Sequence, residues 1–240
     1  MADRIQDLLY RRSDLSTFLV HFTRGTDVEA FSNLFGILKG LVIEARHAYG
    51  MASKLDGRTM NDPSVTQRTV CFTDTPLEHC WMMVREIEQR GCQFRPYGVA
   101  FTKGYARSRG CNPVWYMDQT PGYTWLTGAV DRMTGAARRQ CDEDPGLNPA
   151  TLDILKITPF FEQSGEGKDF AWEREWRCRG DFHFQSPYNV MAVFAPEVLH
   201  PALKDVIAGM SPEWMERKVP VLDPDWGLER MLVAMSGVAR

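Results

Sequence analysis

The residues best placed to do chemistry lie between Phe170 and Phe184, where apolar and ionisable side chains alternate. Alternation with period two is typical of a β-strand whose two faces meet different surroundings. One predicted face carries apolar side chains: Trp176, Cys178, Phe182 and Phe184. The other carries only ionisable side chains: Glu175, Arg177, Arg179, Asp181 and His183.

Two interpretations of the ionisable face remain open. It is either the solvated face of an antiparallel sheet, or the floor of a cleft in which Glu175 takes part in a reaction. The second interpretation needs a partner for each charge, because an unpaired buried charge is costly. In both, Trp176 and Phe182 are predicted to be buried, and truncating either to Ala is predicted to cost roughly 3–5 kcal/mol.

The composition is that of an ordinary soluble protein. The 240 residues are 44% hydrophobic and 25% charged, and the net charge of −3 argues against nucleic-acid binding by bulk positive charge. No apolar run is long enough to span a membrane, and the charged start Met1-Ala2-Asp3-Arg4 is unlike a signal peptide. We therefore expect no membrane association and a cytoplasmic location.

The spacing of the cysteines and the absence of several motifs argue against particular kinds of site and classes of enzyme. None of the six cysteines forms a C-x-x-C pair, which predicts reduced thiols and gives no zinc site. The sequence also lacks a G-x-G-x-x-G, Walker A, H-E-x-x-H or G-x-S-x-G motif. These absences argue against Rossmann dehydrogenases, P-loop NTPases, zincins and α/β-hydrolases.

The elements that must position the charged strand are predicted in an irregular order. Strands over 16–23, 69–73, 97–102, 112–117 and 188–194 are interspersed with helices, and residues 103–110 form a basic loop. A capping box marks one helix start at Thr26 and Glu29, and Thr75-Pro76 opens another. This order favours an α+β fold in one domain, residues 1–240, with 118–168 as a candidate insertion. The sheet is predicted to be mixed or antiparallel, split, and flanked by helices.

Two groups of polar residues suggest an anion site. His21, Thr23 and Arg24 precede a predicted helix N-terminus, where anions are favoured. Arg107 and Arg109 in the basic loop have the fork geometry that binds phosphate, although such loops are often merely solvated.

Short motifs in one order resemble the AbiGi family of bacterial abortive-infection (phage-resistance) proteins. They are His21-Phe22-Thr23, Asn33-Leu34-x-x-Ile37-Leu38-x-Gly40, Val70-Cys71-Phe72-Thr73-x-x-Pro76-Leu77, Tyr97-Gly98-Val99-Ala100-Phe101, Asn112-Pro113-Val114-Trp115-Tyr116 and Glu173-Arg174-Glu175-Trp176-Arg177. The resemblance covers most of residues 16–195. It implies a role in phage defence or in a toxin–antitoxin pair and does not by itself imply a reaction.

A more distant resemblance does imply a reaction. The first two motifs, Pro113 to Tyr116, and Arg174-Glu175-Trp176 are similar to the pattern of DarT-type ADP-ribosyltransferases. That resemblance implies an ADP-ribosyltransferase-like fold with NAD as substrate. It makes Glu175 and Arg109 the catalytic residues and His21, Thr23, Arg24 and Tyr116 the NAD-binding residues. In that pattern an arginine lies close before the proline. Here Cys111 and Asn112 stand immediately before Pro113, and Arg109 lies four residues before it.

Three functions therefore remain open. The first is transfer of ADP-ribose from NAD to a nucleic-acid or protein acceptor, with His21, Arg24 and Glu175 opening into one pocket. The second is a non-catalytic antitoxin or sensor that binds a cognate toxin, another partner protein or a nucleotide through the same cleft. The third is a metal-dependent nuclease built on Glu173, Glu175, Asp181 and His183.

Overall fold

The computed structural model describes residues 12–55, 63–88, 90, 92–165 and 170–237. Over these residues the chain is an α+β protein in which most strand pairs are antiparallel, as the order of the predicted elements indicated. The ADP-ribosyltransferase-like form of this fold stays a prediction. Across the same residues, no helix is both long and apolar enough to cross a membrane.

Eleven strands and eight α-helices are seen in the described residues. The strands are β1 (Phe18–Arg24), β2 (Val42–Ile43), β3 (Thr69–Thr73), β4 (Phe94–Thr102), β5 (Asn112–Pro113), β6 (Trp115–Asp118), β7 (Phe161–Ser164), β8 (Glu175–Arg179), β9 (Phe182–His183), β10 (Ala192–Phe194) and β11 (Val221–Leu222). The helices are α1 (Asp27–Gly40), α2 (Cys80–Met83), α3 (Lys103–Ser108), α4 (Trp125–Glu143), α5 (Asp153–Ile157), α6 (His200–Ala208), α7 (Pro212–Arg217) and α8 (Leu228–Ser236).

The chain divides into two compact units. The first comprises Met1–Val42, Phe72–Ser108 and His183–Arg240, and the second comprises Ile43–Cys71 and Arg109–Phe182. The prediction of one domain over residues 1–240, with an insertion at 118–168, stays a prediction.

The first unit is built on strands in the order β11-β10-β4-β1-β3. β4 pairs antiparallel with both β1 and β10, and β10 pairs in parallel with β11. Gly98 is required in β4, since a Cβ there would lie 2.5 Å from the carbonyl oxygen of His21 on the neighbouring strand. The Phe22 and Phe194 rings pack with centroids 5.3 Å apart in the core of this unit.

Helix α1 begins as its sequence predicts. The Thr26 hydroxyl accepts from the Glu29 amide, and the Glu29 carboxylate accepts from the Thr26 amide at 2.8 Å. These reciprocal bonds satisfy two backbone donors at the helix start. At the other end Leu41 adopts the left-handed conformation, with φ of 52°, and ends the helix after Gly40.

The second unit contains two strand groups and the long helix α4. Its strand order is β3-β8-β5, to which β3 contributes Thr69 to Cys71, while β6 and β7 form a parallel pair. One apolar cluster packs α4 and α5 against each other and against two residues outside them: Leu55, Val65, Ala137, Cys141 and Leu155. A second joins α4 to the parallel pair: Met51, Met117, Val130 and Phe161.

Two sequence predictions around residue 110 are wrong. Residues 103–108 are helical rather than a loop, because the Thr102 hydroxyl caps the Tyr105 amide and Ala106 supplies a buried contact. The predicted strand 112–117 is two strands with different partners, since β5 pairs with β8 while β6 pairs with β7.

Two further predicted elements are shorter than expected. The helix opened by Thr75-Pro76 is only a 3-10 turn followed by α2, because the Thr75 hydroxyl bonds the Thr73 hydroxyl at 2.7 Å and does not cap the helix. The strand predicted over 188–194 is reduced to β10, because Ser186 caps a 3-10 turn at Pro187–Asn189.

Candidate functional site

Strand β8 is covered on both faces. Trp176 and Cys178 are buried as predicted, and Phe182 of β9 is buried as well. On the opposite face the Arg177 side chain is only 1% exposed. The interpretation of this face as solvated is therefore wrong at Arg177.

The buried guanidinium is held by four hydrogen bonds to three residues. Its Nε donates to Glu175 Oε1 at 2.9 Å and its Nη2 to Glu175 Oε2 at 2.8 Å, which is the bidentate geometry of a strong Arg–carboxylate pair. Nη2 also donates to Glu162 Oε2 at 2.5 Å, and Nη1 donates to the carbonyl of Pro159 at 2.9 Å. Arg177 thus ties β8 to the chain entering β7.

Aromatic side chains and a glycine shape the surroundings of this pair. The Arg177 guanidinium lies 5.6 Å from the centroid of the Tyr49 ring, and the Glu175 amide donates to the Tyr116 hydroxyl at 3.3 Å. Gly50 has a φ of 53°, and a Cβ there would lie 2.3 Å from the carbonyl of Phe161. Only glycine therefore lets this segment approach β7 so closely.

The protonation states follow from burial and charge. Burial alone would lower the pKa of Arg177, but the Glu175 charge and hydrogen bonds, together with the Glu162 charge, outweigh it and raise that pKa. Burial raises the pKa of the Cys71 thiol, and the negative charge of Glu175 raises it further. The same two causes raise the pKa of Tyr116. We call Arg177, Glu175, Glu162, Cys71 and Tyr116 the arginine cluster. It surrounds one buried cation with neutral and anionic groups.

The residues predicted to bind the nicotinamide side of NAD lie in the first unit. Thr23 is buried, and its hydroxyl lies 2.9 Å from the Ala30 carbonyl and 3.1 Å from the Tyr97 carbonyl, so it ties β1 to its neighbours. His21 packs edge-on against Phe72, and Arg24 donates to the Cys92 sulfur at 3.5 Å.

The remaining predicted site residues lie in the second unit. Arg109 is exposed just after α3, and its backbone carbonyl accepts from the Cys178 thiol at 3.4 Å. Glu175 and Tyr116 meet in the arginine cluster. The catalytic, NAD-binding and shared-pocket roles of all these residues stay predictions.

The nuclease hypothesis requires carboxylate and imidazole groups that converge. Asp181 instead accepts from the Ala45 amide at 2.7 Å, which joins two distant segments of the second unit. Among the residues that the structure describes, no three His, Cys, Asp or Glu side chains are grouped so that they could hold a metal ion. The described residues thus contain no ligand set for that hypothesis.

A second candidate site, missed by the sequence reasoning, is the exposed side of helix α4. Trp125, Arg132 and Arg139 recur every seven residues and so share one side of the helix, opposite the buried residues Val130, Thr134, Ala137 and Cys141. Met133 lies further round the helix, about 80° from Trp125, and Tyr123 precedes the helix; both are exposed. We call Tyr123, Trp125, Arg132, Met133 and Arg139 the α4 face. The seven-residue spacing was a visible signal.

The α4 face combines a large apolar anchor with free positive charge. Trp125 is 79% exposed. The Arg132 and Arg139 side chains lie over Gly128 and Gly135, whose missing Cβ atoms would sit 3.5 and 3.6 Å from the respective Nη1 atoms. Within the part of the chain described, neither arginine forms an ion pair. Both guanidinium groups are therefore open to a partner.

Comparison with known proteins gives one match. Residues 55–197 match the model of a family described as abortive phage resistance protein AbiGi, antitoxin. No curated protein and no solved structure matches the chain, and the relation to DarT-type enzymes stays a prediction. The matched residues include both the arginine cluster and the α4 face, and cover more than half of the sequence. The chain belongs to the AbiGi family of abortive phage resistance proteins.

Proposed function

We propose that this chain is the antitoxin of a phage-defence pair and acts by binding a cognate toxin protein, without catalysing a reaction of its own. Two independent observations support the proposal. The family that the chain belongs to is described as an antitoxin. The second unit also exposes a surface, the α4 face, whose composition is that of a protein-binding site.

The observation that carries the proposal is the exposure of Trp125 beside two unpaired arginines. Soluble proteins seldom leave Trp largely exposed, and the energetic centres of protein interfaces are enriched in Trp, Tyr and Arg. Met133, also exposed, can adapt its shape to a partner. Helix α4 has 19 residues and is therefore about 28 Å long, which is long enough for one side of a standard interface.

The charges of the α4 face favour an acidic protein surface as the partner. Arg132 and Arg139 are seven residues apart, so their Cα atoms are about 10 Å apart along the helix. Acidic residues surround them on the same helix, at Asp131, Asp142 and Glu143. Asp131 is paired with Lys54 and Asp142 with Arg138, and α4 carries as many carboxylates as arginines, so the helix offers a nucleic-acid backbone no net positive charge. A protein can instead present two acidic side chains that meet Arg132 and Arg139.

The arginine cluster supports binding over catalysis. Glu175, the predicted catalytic residue, already accepts two hydrogen bonds from Arg177, and its side chain is 16% exposed. A carboxylate paired in this way stabilises developing positive charge on a substrate less well than a free one does. Transfer of ADP-ribose from NAD therefore remains the alternative hypothesis.

The proposal is tested with the protein encoded beside this chain as the toxin probe. Co-expression with this chain should restore the growth of cells expressing the probe, and the two should purify as a complex. The double variant Arg132→Glu, Arg139→Glu should lose both effects, because it places acidic groups against an acidic surface. Lys204→Glu, an exposed charge reversal on α6 in the first unit, is the matched control and should retain both.

Two outcomes would contradict the proposal. In one, the wild-type chain restores growth without forming a complex, and the purified chain releases nicotinamide from NAD. In the other, the double variant and the control bind the toxin equally well, which would remove the α4 face from the interaction.

A further inference from the structure

Two cysteines of the second unit face each other across adjacent strands. β5 pairs antiparallel with β8, with Asn112 opposite Arg177 and Pro113 opposite Trp176. Continuing this register by one residue places Cys111 directly opposite Cys178. The two side chains therefore lie on the same face of the strand pair, and both residues are buried, at 1% and 4% exposure respectively.

The hydrogen-bond pattern shows which type of cross-strand pair this is. The Val114 amide donates to the Glu175 carbonyl at 2.9 Å, so Val114 and Glu175 form a hydrogen-bonded pair. Pair types alternate along an antiparallel ladder, which makes Cys111 and Cys178 a non-hydrogen-bonded pair. The Cα atoms of such pairs are about 4.5 Å apart, inside the range of roughly 4.4–6.8 Å that a disulfide bridges.

The chemical environment favours reaction at Cys178. The neighbouring Cys111 side chain lowers the pKa of Cys178, and the positive charges of Arg109 and Arg179 lower it further. Nucleophilic cysteines are found in electropositive surroundings of this kind. β5 has only two residues, both exposed, at the edge of its strand group, so local opening of this edge gives a small oxidant access to the sulfur atoms.

We propose that Cys111 and Cys178 are an oxidation site at which a peroxide converts the facing thiols into a cross-strand disulfide. The Cys178 thiolate attacks one peroxide oxygen, the O–O bond breaks, and a sulfenic acid forms while hydroxide leaves. The Cys111 thiol, whose pKa is raised chiefly by its interaction with the reduced Cys178, then loses its proton and attacks the Cys178 sulfur, displacing a second hydroxide. The two hydroxides take up the two thiol protons, so that two thiols and one hydrogen peroxide give one disulfide and two water molecules.

The reactivity of the other four cysteines can be compared with that of the Cys111–Cys178 pair. Burial raises the pKa of Cys80 to about 12 and also raises that of Cys71, so these thiols react slowly as nucleophiles. Cys141 lies on α4 and is buried in an apolar cluster with Leu55 and Leu155. Cys92 is half-buried beside Arg24 and so is more exposed than Cys178. It therefore serves as the control for oxidation that depends on exposure alone.

The first experiment uses the wild-type chain alone. Reduced protein is treated with hydrogen peroxide, remaining thiols are alkylated under denaturing conditions, and peptides are mapped without reduction. We expect a peptide joining Cys111 to Cys178 in at least about tenfold excess over any other cysteine pair. Recovery of both cysteines as alkylated thiols, while Cys92 is oxidised, would overturn the proposal.

The second experiment traps the intermediate. In Cys111→Ser the sulfenic acid on Cys178 has no resolving thiol, so dimedone should label Cys178 in this variant and not in the wild type or in Cys92→Ser. Equal labelling of Cys178 in the wild type would show that Cys111 does not resolve the intermediate and would overturn the proposal. If Cys111→Ser fails to fold, the peptide map of the wild type decides the question by itself.

Discussion

Replacing Glu175 with Gln separates the structural role of this residue from a catalytic one. The change keeps the side-chain volume and removes the negative charge facing Arg177. Gln Oε1 can still accept one hydrogen bond, but its amide nitrogen is itself a donor and cannot accept the second. The guanidinium is 1% exposed and cannot lose its proton, so it remains a buried cation with Glu162 as its one remaining carboxylate partner among those described.

The size of the effect follows from these contacts. A hydrogen bond to a charged group contributes about 1.5–3 kcal/mol, and breaking a buried ion pair completely costs about 3–5 kcal/mol. Because Glu162 still compensates the charge, Glu175→Gln should lower the free energy of unfolding by about 2 kcal/mol. For a chain of this size that corresponds to a Tm lower by roughly 4–8 °C.

Glu162→Gln is the matched control. Glu162 accepts one hydrogen bond from Arg177 and is 24% exposed, so its loss should cost about 1 kcal/mol. Removing both carboxylates leaves the guanidinium without either of its anionic partners and should cost about 5 kcal/mol, more than the two single changes added together. Urea denaturation followed by tryptophan fluorescence measures all three values.

Two results would refute this reasoning. Single and double variants all within about 0.5 kcal/mol of the wild type would show that the ion pair contributes nothing to stability. A Glu175→Gln variant with wild-type stability whose nicotinamide release falls by about 10²-fold would instead assign Glu175 to catalysis.

Three further predictions concern the fold. Trp176→Ala and Phe182→Ala should each lower the free energy of unfolding by roughly 3–5 kcal/mol in urea titrations, and values below about 1 kcal/mol for both would contradict their burial. Gly50→Ala should lower the Tm by several degrees, because its Cβ would overlap a neighbouring backbone carbonyl at positive φ; an unchanged Tm would show that the segment moves without cost. The hydrogen bonds from Thr26 lower the pKa of Glu29 below its usual value near 4.5. Their stabilisation is therefore present above that value and is lost as the pH falls through the lower pKa of the folded state. The difference in Tm between the wild type and Glu29→Gln should thus shrink on acidification, and a difference that grows would contradict this sign.

Local signals in the sequence predicted the local structure well. The capping box at Thr26 and Glu29 uses contacts three residues apart, and β3 has the bounds that its β-branched residues predict. The burial of Trp176 followed from period two alone. Each of these features depends on neighbours in the sequence, which a sequence displays directly.

The arginine cluster depends on contacts that a sequence does not display. Period two assigned Arg177 to the ionisable face but could not show that Glu162, Pro159 and Tyr49 cover that face. A charged strand that is solvated and one whose charges are paired in the interior have the same alternation. Only the partners decide between them, and they come from separate segments of the chain.

The α4 face was not predicted from the sequence. Gly128 and Gly135 lower the helix propensity of this segment. The buried stripe of α4 outweighs this cost, and the two glycines lie beneath the guanidinium groups of Arg132 and Arg139. The spacing of these residues was visible, but their exposure was not.

The affinity of the purified chain for its toxin shows whether the α4 face binds the partner. Isothermal titration calorimetry compares the wild type with Trp125→Ala and Met133→Ala. Met215→Ala serves as control, since Met215 lies on a helix and is as exposed as Met133, at 59% and 56% respectively. We expect a Kd about 30-fold weaker for Trp125→Ala, a smaller loss for Met133→Ala and an unchanged Kd for Met215→Ala. Equal affinities for all four proteins, or no binding by the wild type, would contradict this expectation.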